Sequence, residues 1–97
     1  MAERVTMSTE ALAEARALLA AAPLGGGRPN TLLRIAVGSC GLRRAVAVPA
    51  PAAEPGDDLL EIEGLPLAIA STLGGTFHIT VGRGRFGAWL EVAHRPG

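Results

Sequence analysis

"LLRIAVGSCGLRRAVAV", residues 32–48, decides how this chain folds. In its left arm Leu33, Ile35 and Val37 fall on alternate positions, the period of a strand with one buried face. In its right arm Arg44, Val46 and Val48 alternate with Ala45 and Ala47. Between the arms lies "GSCGL", a tight connection whose two glycines can take positive φ. The stretch predicts two strands joined by a turn, and that turn carries Cys40, the one cysteine in the chain.

Upstream, "VTMSTEALAEARALLAAA" (5–22) reads as a short strand or arm followed by a helix. Ser8 is a good N-cap, and Glu10 falls in the first turn, where the positive end of the helix dipole favours a carboxylate. Met7 before the cap and Leu12 at the fourth helical position form the pair of a hydrophobic staple. Leu12, Ala15, Leu19 and Ala22 share one helical face, and Pro23 with the glycines at 25–27 ends the run. Downstream, "PAPAAEPGDD" (49–58) is a proline-rich turn region. Short strand patterns follow in "LLEIEG", "LPLAIA", "TFHITV" and "RFGAWLEV", the last two separated by Gly82-Arg83-Gly84. One helix followed by a run of strands makes an α+β fold: a small single domain, with an N-terminal helix packed on compact, mostly antiparallel β-structure.

The 97 residues form one domain over 1–97, with 1–4 and 93–97 predicted to fray. A core of this size leans on a partner subunit. A hydrophobic content of 48% argues against a disordered chain, yet no apolar run reaches the length of a membrane span. The opening "MAERVTMSTE" carries acid and lacks an apolar core, unlike a signal peptide, which favours the cytoplasm. A formal net charge of zero gives no bulk attraction to nucleic acid or membrane, and Phe77, Phe86 and Trp89 are too few for a base-stacking platform. A single cysteine excludes an internal disulfide.

The order of "VTMSTEALAEARALLA", "LLRIAVGSCGLRRAVAV", "EPGDDLLEIEGLPLAIA" and "GGTFHITV" resembles the A-type iron–sulfur carriers, the HesB/IscA-like family, from about Val5 to Val92. The resemblance implies a HesB-like fold and a non-enzymatic role in iron–sulfur cluster assembly. Three features depart from the family pattern. The cysteine turn is rearranged to Ser39-Cys40-Gly41. The stretch from Gly64 to Thr76 is about one helical turn short, so the helix expected there is reduced or absent. The family's C-terminal cysteine-x-cysteine pair has no counterpart, and of the three family ligands only Cys40 carries over.

Cys40 therefore has two readings. A thiolate on a glycine-flanked turn, beside Arg43 and Arg44, suits iron or an iron–sulfur cluster. A lone cysteine also packs well as a small hydrophobe. As a ligand it cannot close a site by itself, so a cluster would be shared across a homodimer or completed by His78, His94 or a small thiol. His78 lies on the face of "TFHITV" opposite Phe77, Ile79 and Val81, and His94 sits in the tail. A non-metal interaction module is the alternative, with Trp89 and Phe86 contacting a protein partner unless Trp89 is core. A thiol enzyme is the least supported reading, because it needs a base beside Cys40. Asp57 and Asp58 point opposite ways on an extended chain and fit turn capping better than acid–base work. "GRGRFG" has no helix after it and reads as a hairpin turn rather than a phosphate loop.

Overall fold

The structure is a computed structural model, and it describes residues 4–21, 27–38 and 44–96. Its elements run β1 (Val5–Met7), α1 (Thr9–Ala20), β2 (Leu32–Val37), β3 (Ala45–Ala50), β4 (Asp58–Ile62), β5 (Leu65–Ile69), β6 (Thr76–Gly84) and β7 (Gly87–Arg95). They form two sheets, one in the order β1-β6-β7 and one in the order β3-β2-β5-β4. The pairs β2–β3, β4–β5 and β6–β7 are antiparallel, whereas β1–β6 and β2–β5 are parallel. The α+β class expected from the sequence is the observed one.

Helix α1 starts where the cap predicts. Ser8 Oγ accepts the Ala11 N–H at 3.1 Å, and the Ser8 N–H itself donates to Ile79 O at 3.0 Å, so one residue ends β1 and opens the helix. Ala11, Leu12 and Ala15 are buried, and the helix packs on β6 and β7 of one sheet and on β2 and β3 of the other. Small residues on this face let the helix come close to both sheets. Leu33, Ile35, Leu67, Ile69, Ile79 and Val5 are the largest fully buried side chains. The helix ends at Ala20 with Ala21 as its C-cap; Ala22, expected on its apolar face, and Pro23, Gly25 and Gly26, expected to end it, lie outside the described residues.

The β2–β3 hairpin forms in the predicted place, with an unexpected division of faces. Val37, Ile35 and Leu33 stand opposite Ala45, Ala47 and Pro49. Small Ala45 and Ala47 face the core, while Val46 is half-buried and Val48 exposed on the outer face. Bulk from one strand meets small residues from its neighbour, which leaves room for α1.

Because β3 and β4 occupy opposite edges of their sheet, the proline-rich connection must cross between them. It crosses the outer face, where Arg34 and Ala68 are register partners. Ala68 has no exposed surface, and Arg34 is held by the connection through Glu54 and Asp57. No helix occurs from residue 64 to 76, where the chain forms β5 and a turn instead. Residues 93–95, expected to fray, continue β7 in full register with β6. Among the described residues no helix is long and apolar enough to cross a membrane.

Candidate functional site

The Cys40-bearing connection springs from the end of the β2–β3 ladder. Gly38 N–H donates to Arg44 O at 3.1 Å, so the two arms are still joined one residue beyond the strands. Cys40 itself lies outside the described residues. Beside the base of this hairpin, residues 44–46 and 89–92 line a groove of ≈ 340 Å³ where β3 runs next to β7. Arg44 and Glu91 give it one charge of each sign, and Trp89 is among its lining residues.

Trp89 is not a core residue: 48% of its surface is exposed. It stands opposite Gly82 in the β6–β7 ladder, and its indole lies across β6. A Cβ added at Gly82 would come within 2.4 Å of the indole, and one at Gly84 within 3.1 Å. These two glycines are therefore the bed on which the ring rests, a cross-strand arrangement known to offset glycine in a sheet. In the sequence alone they read only as turn residues. The signal was present, because a two-residue turn at Arg85-Phe86 sets Gly82 opposite Trp89. Phe86 occupies that turn and is 98% exposed.

His78 and His94, both carried forward as candidate ligands, do not converge. The register sets His94 opposite Phe77 and His78 opposite Ala93, so the two imidazoles leave opposite faces of the sheet. His78 is exposed on the outer face, its Nδ1 2.7 Å from Thr6 Oγ1. When Nδ1–H donates to Thr6, Nε2 carries the lone pair a metal would take. His94 is occupied differently. It stacks on Phe77 with ring centroids 4.5 Å apart and planes 7° from parallel, and its Nε2–H donates to Gly74 O at 2.8 Å. Two histidines of one chain therefore cannot share an ion, and among the described residues no three His, Cys, Asp or Glu side chains cluster as a metal site.

Arg34, Asp57, Asp58 and Arg4 have structural roles. Arg34 makes a fork with Asp57, Nε donating to Oδ2 at 2.8 Å and Nη2 to Oδ1 at 3.0 Å, and also pairs with Glu54. The Asp57 side chain is only 2% exposed and accepts the Glu54 N–H as well. The Arg34 hydrogen bond, with help from that backbone N–H, holds the Asp57 carboxyl below its usual range, and the same bond raises Arg34. Asp58, pointing the other way as expected, pairs with Arg4. Arg4 also donates to the carbonyls of Leu73 and Gly75, and its guanidinium carbon lies 6.0 Å from the Phe77 ring centre. Arg4, Phe77 and His94 thus lock the turn before β6 and hold residues 93–95 in β7.

No family model matches the sequence, and no curated protein matches it. The fold does have a solved counterpart. A crystal structure of IscA with the [2Fe-2S] cluster superposes with a TM-score of 0.67 at 23% identity, covering 93% of this chain and 84% of that one. The fold is IscA-like. At this identity the match establishes the IscA-like architecture, in line with the family resemblance read from the motif order.

Proposed function

We propose that this chain is a non-enzymatic, cytoplasmic, carrier-like protein of iron–sulfur cluster assembly, a divergent relative of the HesB/IscA-like proteins. Its cargo is iron or a cluster, held by Cys40 across two copies of the chain. The observation that carries the reading is the position of the single cysteine, in the β2–β3 connection of a fold shared with a protein solved with a [2Fe-2S] cluster. The donor set limits how such cargo can be held. With His94 committed to Gly74 and His78 on the far face of its sheet, one chain does not surround a metal with its described residues. A second copy supplies a second Cys40 thiolate, and the remaining positions of a four-ligand cluster fall to small thiols. Oxygen-free incubation with iron and sulfide tests this: the wild type is expected to develop sulfur-to-iron charge-transfer absorption in the visible, and Cys40→Ser is expected to lack it. Equal, featureless spectra overturn the proposal.

A second reading is favoured by exposed apolar side chains. Trp89, Phe86, Val37 and Val48 all stand open to solvent, and the Trp89 indole lies on the open face of β6 over Gly82 and Gly84. On this reading the chain is an interaction module that keeps the fold without cargo, and Trp89 with Phe86 anchors a protein partner. Binding by that partner would then survive Cys40→Ser and weaken in Trp89→Ala.

A further inference from the structure

Each sheet ends in a strand with no ladder partner on its outer side: β1 in the three-stranded sheet and β4 in the four-stranded one. These two edges line one groove of ≈ 500 Å³, formed by residues 5–7 and 60–63. The hydrogen-bond pattern fixes which peptide groups face it. Phe77 N–H donates to Arg4 O and Ser8 N–H donates to Ile79 O. In this parallel pair Thr6 therefore turns its peptide groups toward β6, and Val5 and Met7 turn theirs away. On β4, Ile62 and Leu65 close a two-residue turn and exchange hydrogen bonds with one another. By alternation Leu60 faces β5, and Leu59 and Glu61 present N–H and C=O to the edge.

We infer that this groove accepts an extended, basic segment of a partner protein, which adds as a strand to the edge of β4 and lies against β1. Unpaired strand edges select an extended backbone, the mode of β-strand addition. The half-buried Met7, Leu60 and Ile62 offer apolar contact to alternate side chains of such a segment. Charge selects its sign. Glu61 and Glu63 are exposed, form no ion pair among the described residues, and no basic side chain lines the groove. The nearby cations are engaged, Arg4 with Asp58 and Arg16 with the Glu63 carbonyl. A second copy of the chain would bring a second set of the same carboxylates to this seam, which disfavours it as the occupant. The groove belongs to the edges β1 and β4, whereas the Cys40 connection joins β2 to β3, so the inference stands apart from the cargo proposal.

The test uses the whole chain and three fluorescein-labelled, end-capped octapeptides: alternating lysine and valine, alternating glutamate and valine, and the lysine peptide N-methylated at every residue. Anisotropy is expected to show binding of the lysine peptide below about 1 mM. The N-methylated peptide should bind at least about tenfold more weakly, because it has lost the donors on both edges. The double variant Glu61→Gln, Glu63→Gln should lose about fivefold at low salt, with the difference narrowing as salt rises. Amide exchange at Leu59 and Glu61 should slow when the lysine peptide is bound. Four results overturn the inference: no binding of the lysine peptide, equal binding of the N-methylated peptide, equal binding of the glutamate peptide, or protection confined to other strands. Protection at Leu59 and Glu61 that rises with protein concentration alone also overturns it, because the occupant is then a second copy.

Discussion

Glu63→Asn should stabilise this protein. Glu63 and Gly64 form the two-residue turn between β4 and β5, with φ of 47° and 83°. Both central residues are thus left-handed, the turn type that favours Asn-Gly. A non-glycine residue in this region costs about 1 kcal/mol or more, from crowding of Cβ against the following carbonyl, and asparagine escapes much of that cost. The Glu63 side chain is exposed and makes no ion pair among the described residues, and Arg16 binds only its carbonyl, which the substitution keeps. The expected gain is about 1 kcal/mol, equivalent to a rise of roughly 4–8 °C in Tm for a domain of this size. Gly64→Ala is the matched control. A Cβ there meets nothing within 4 Å, so its expected loss of about 1 kcal/mol is backbone strain alone. Thermal unfolding followed by circular dichroism reads both. Unchanged or lower Tm in Glu63→Asn, or an unchanged Tm in Gly64→Ala, would refute the turn geometry argued here.

Other consequences can be checked with equally simple variants. Gly82→Ala should push the indole off its bed, shifting Trp89 fluorescence to the red and costing about 1–2 kcal/mol in urea unfolding, while an unshifted spectrum would contradict the packing. Leu67→Ala removes a side chain with 1% exposure from between the sheets and should cost about 2–5 kcal/mol by the same assay. Asp57 has a folded pKa below its unfolded value, so its contribution to stability is complete above about pH 4 and is lost as pH falls through the folded value. Asp57→Asn should therefore be less stable than wild type at neutral pH, with the difference shrinking below about pH 4; a constant difference down to acid pH would contradict the Arg34 fork.

The parts of the fold that were legible in the sequence are those fixed by neighbouring residues. Ser8 announces the helix, the period-two arms announce the β2–β3 hairpin, and "GRGRFG" announces the β6–β7 turn, although the turn falls at Arg85-Phe86 and not at Gly82-Arg83-Gly84, which continue β6. Pairings between distant segments left no such mark. Nothing in "VTM" tells that it lies parallel to β6, more than 70 residues away, and nothing in Arg34 points to a carboxylate across the outer face of its sheet. The opposed faces of His78 and His94 could have been read earlier. Once the turn is placed at Arg85-Phe86, counting back along both arms sets His78 beside Ala93 rather than His94. His94 resisted for another reason: a tail residue reads as frayed until the stacking on Phe77 and the bond to Gly74 are seen. The candidate site was legible only as Cys40 in a turn, since periodicity locates a thiol without telling what surrounds it.

The central claim is that Cys40 holds iron or a cluster between two copies of this chain. Sedimentation velocity after oxygen-free loading with iron and sulfide, recorded in both the ultraviolet and the visible, tests it most directly. The account predicts visible absorbance that travels with a dimer in the wild type, and in Cys40→Ser neither the absorbance nor the cargo-linked dimer. Visible absorbance travelling with a monomer, or loading unchanged by Cys40→Ser, would contradict it.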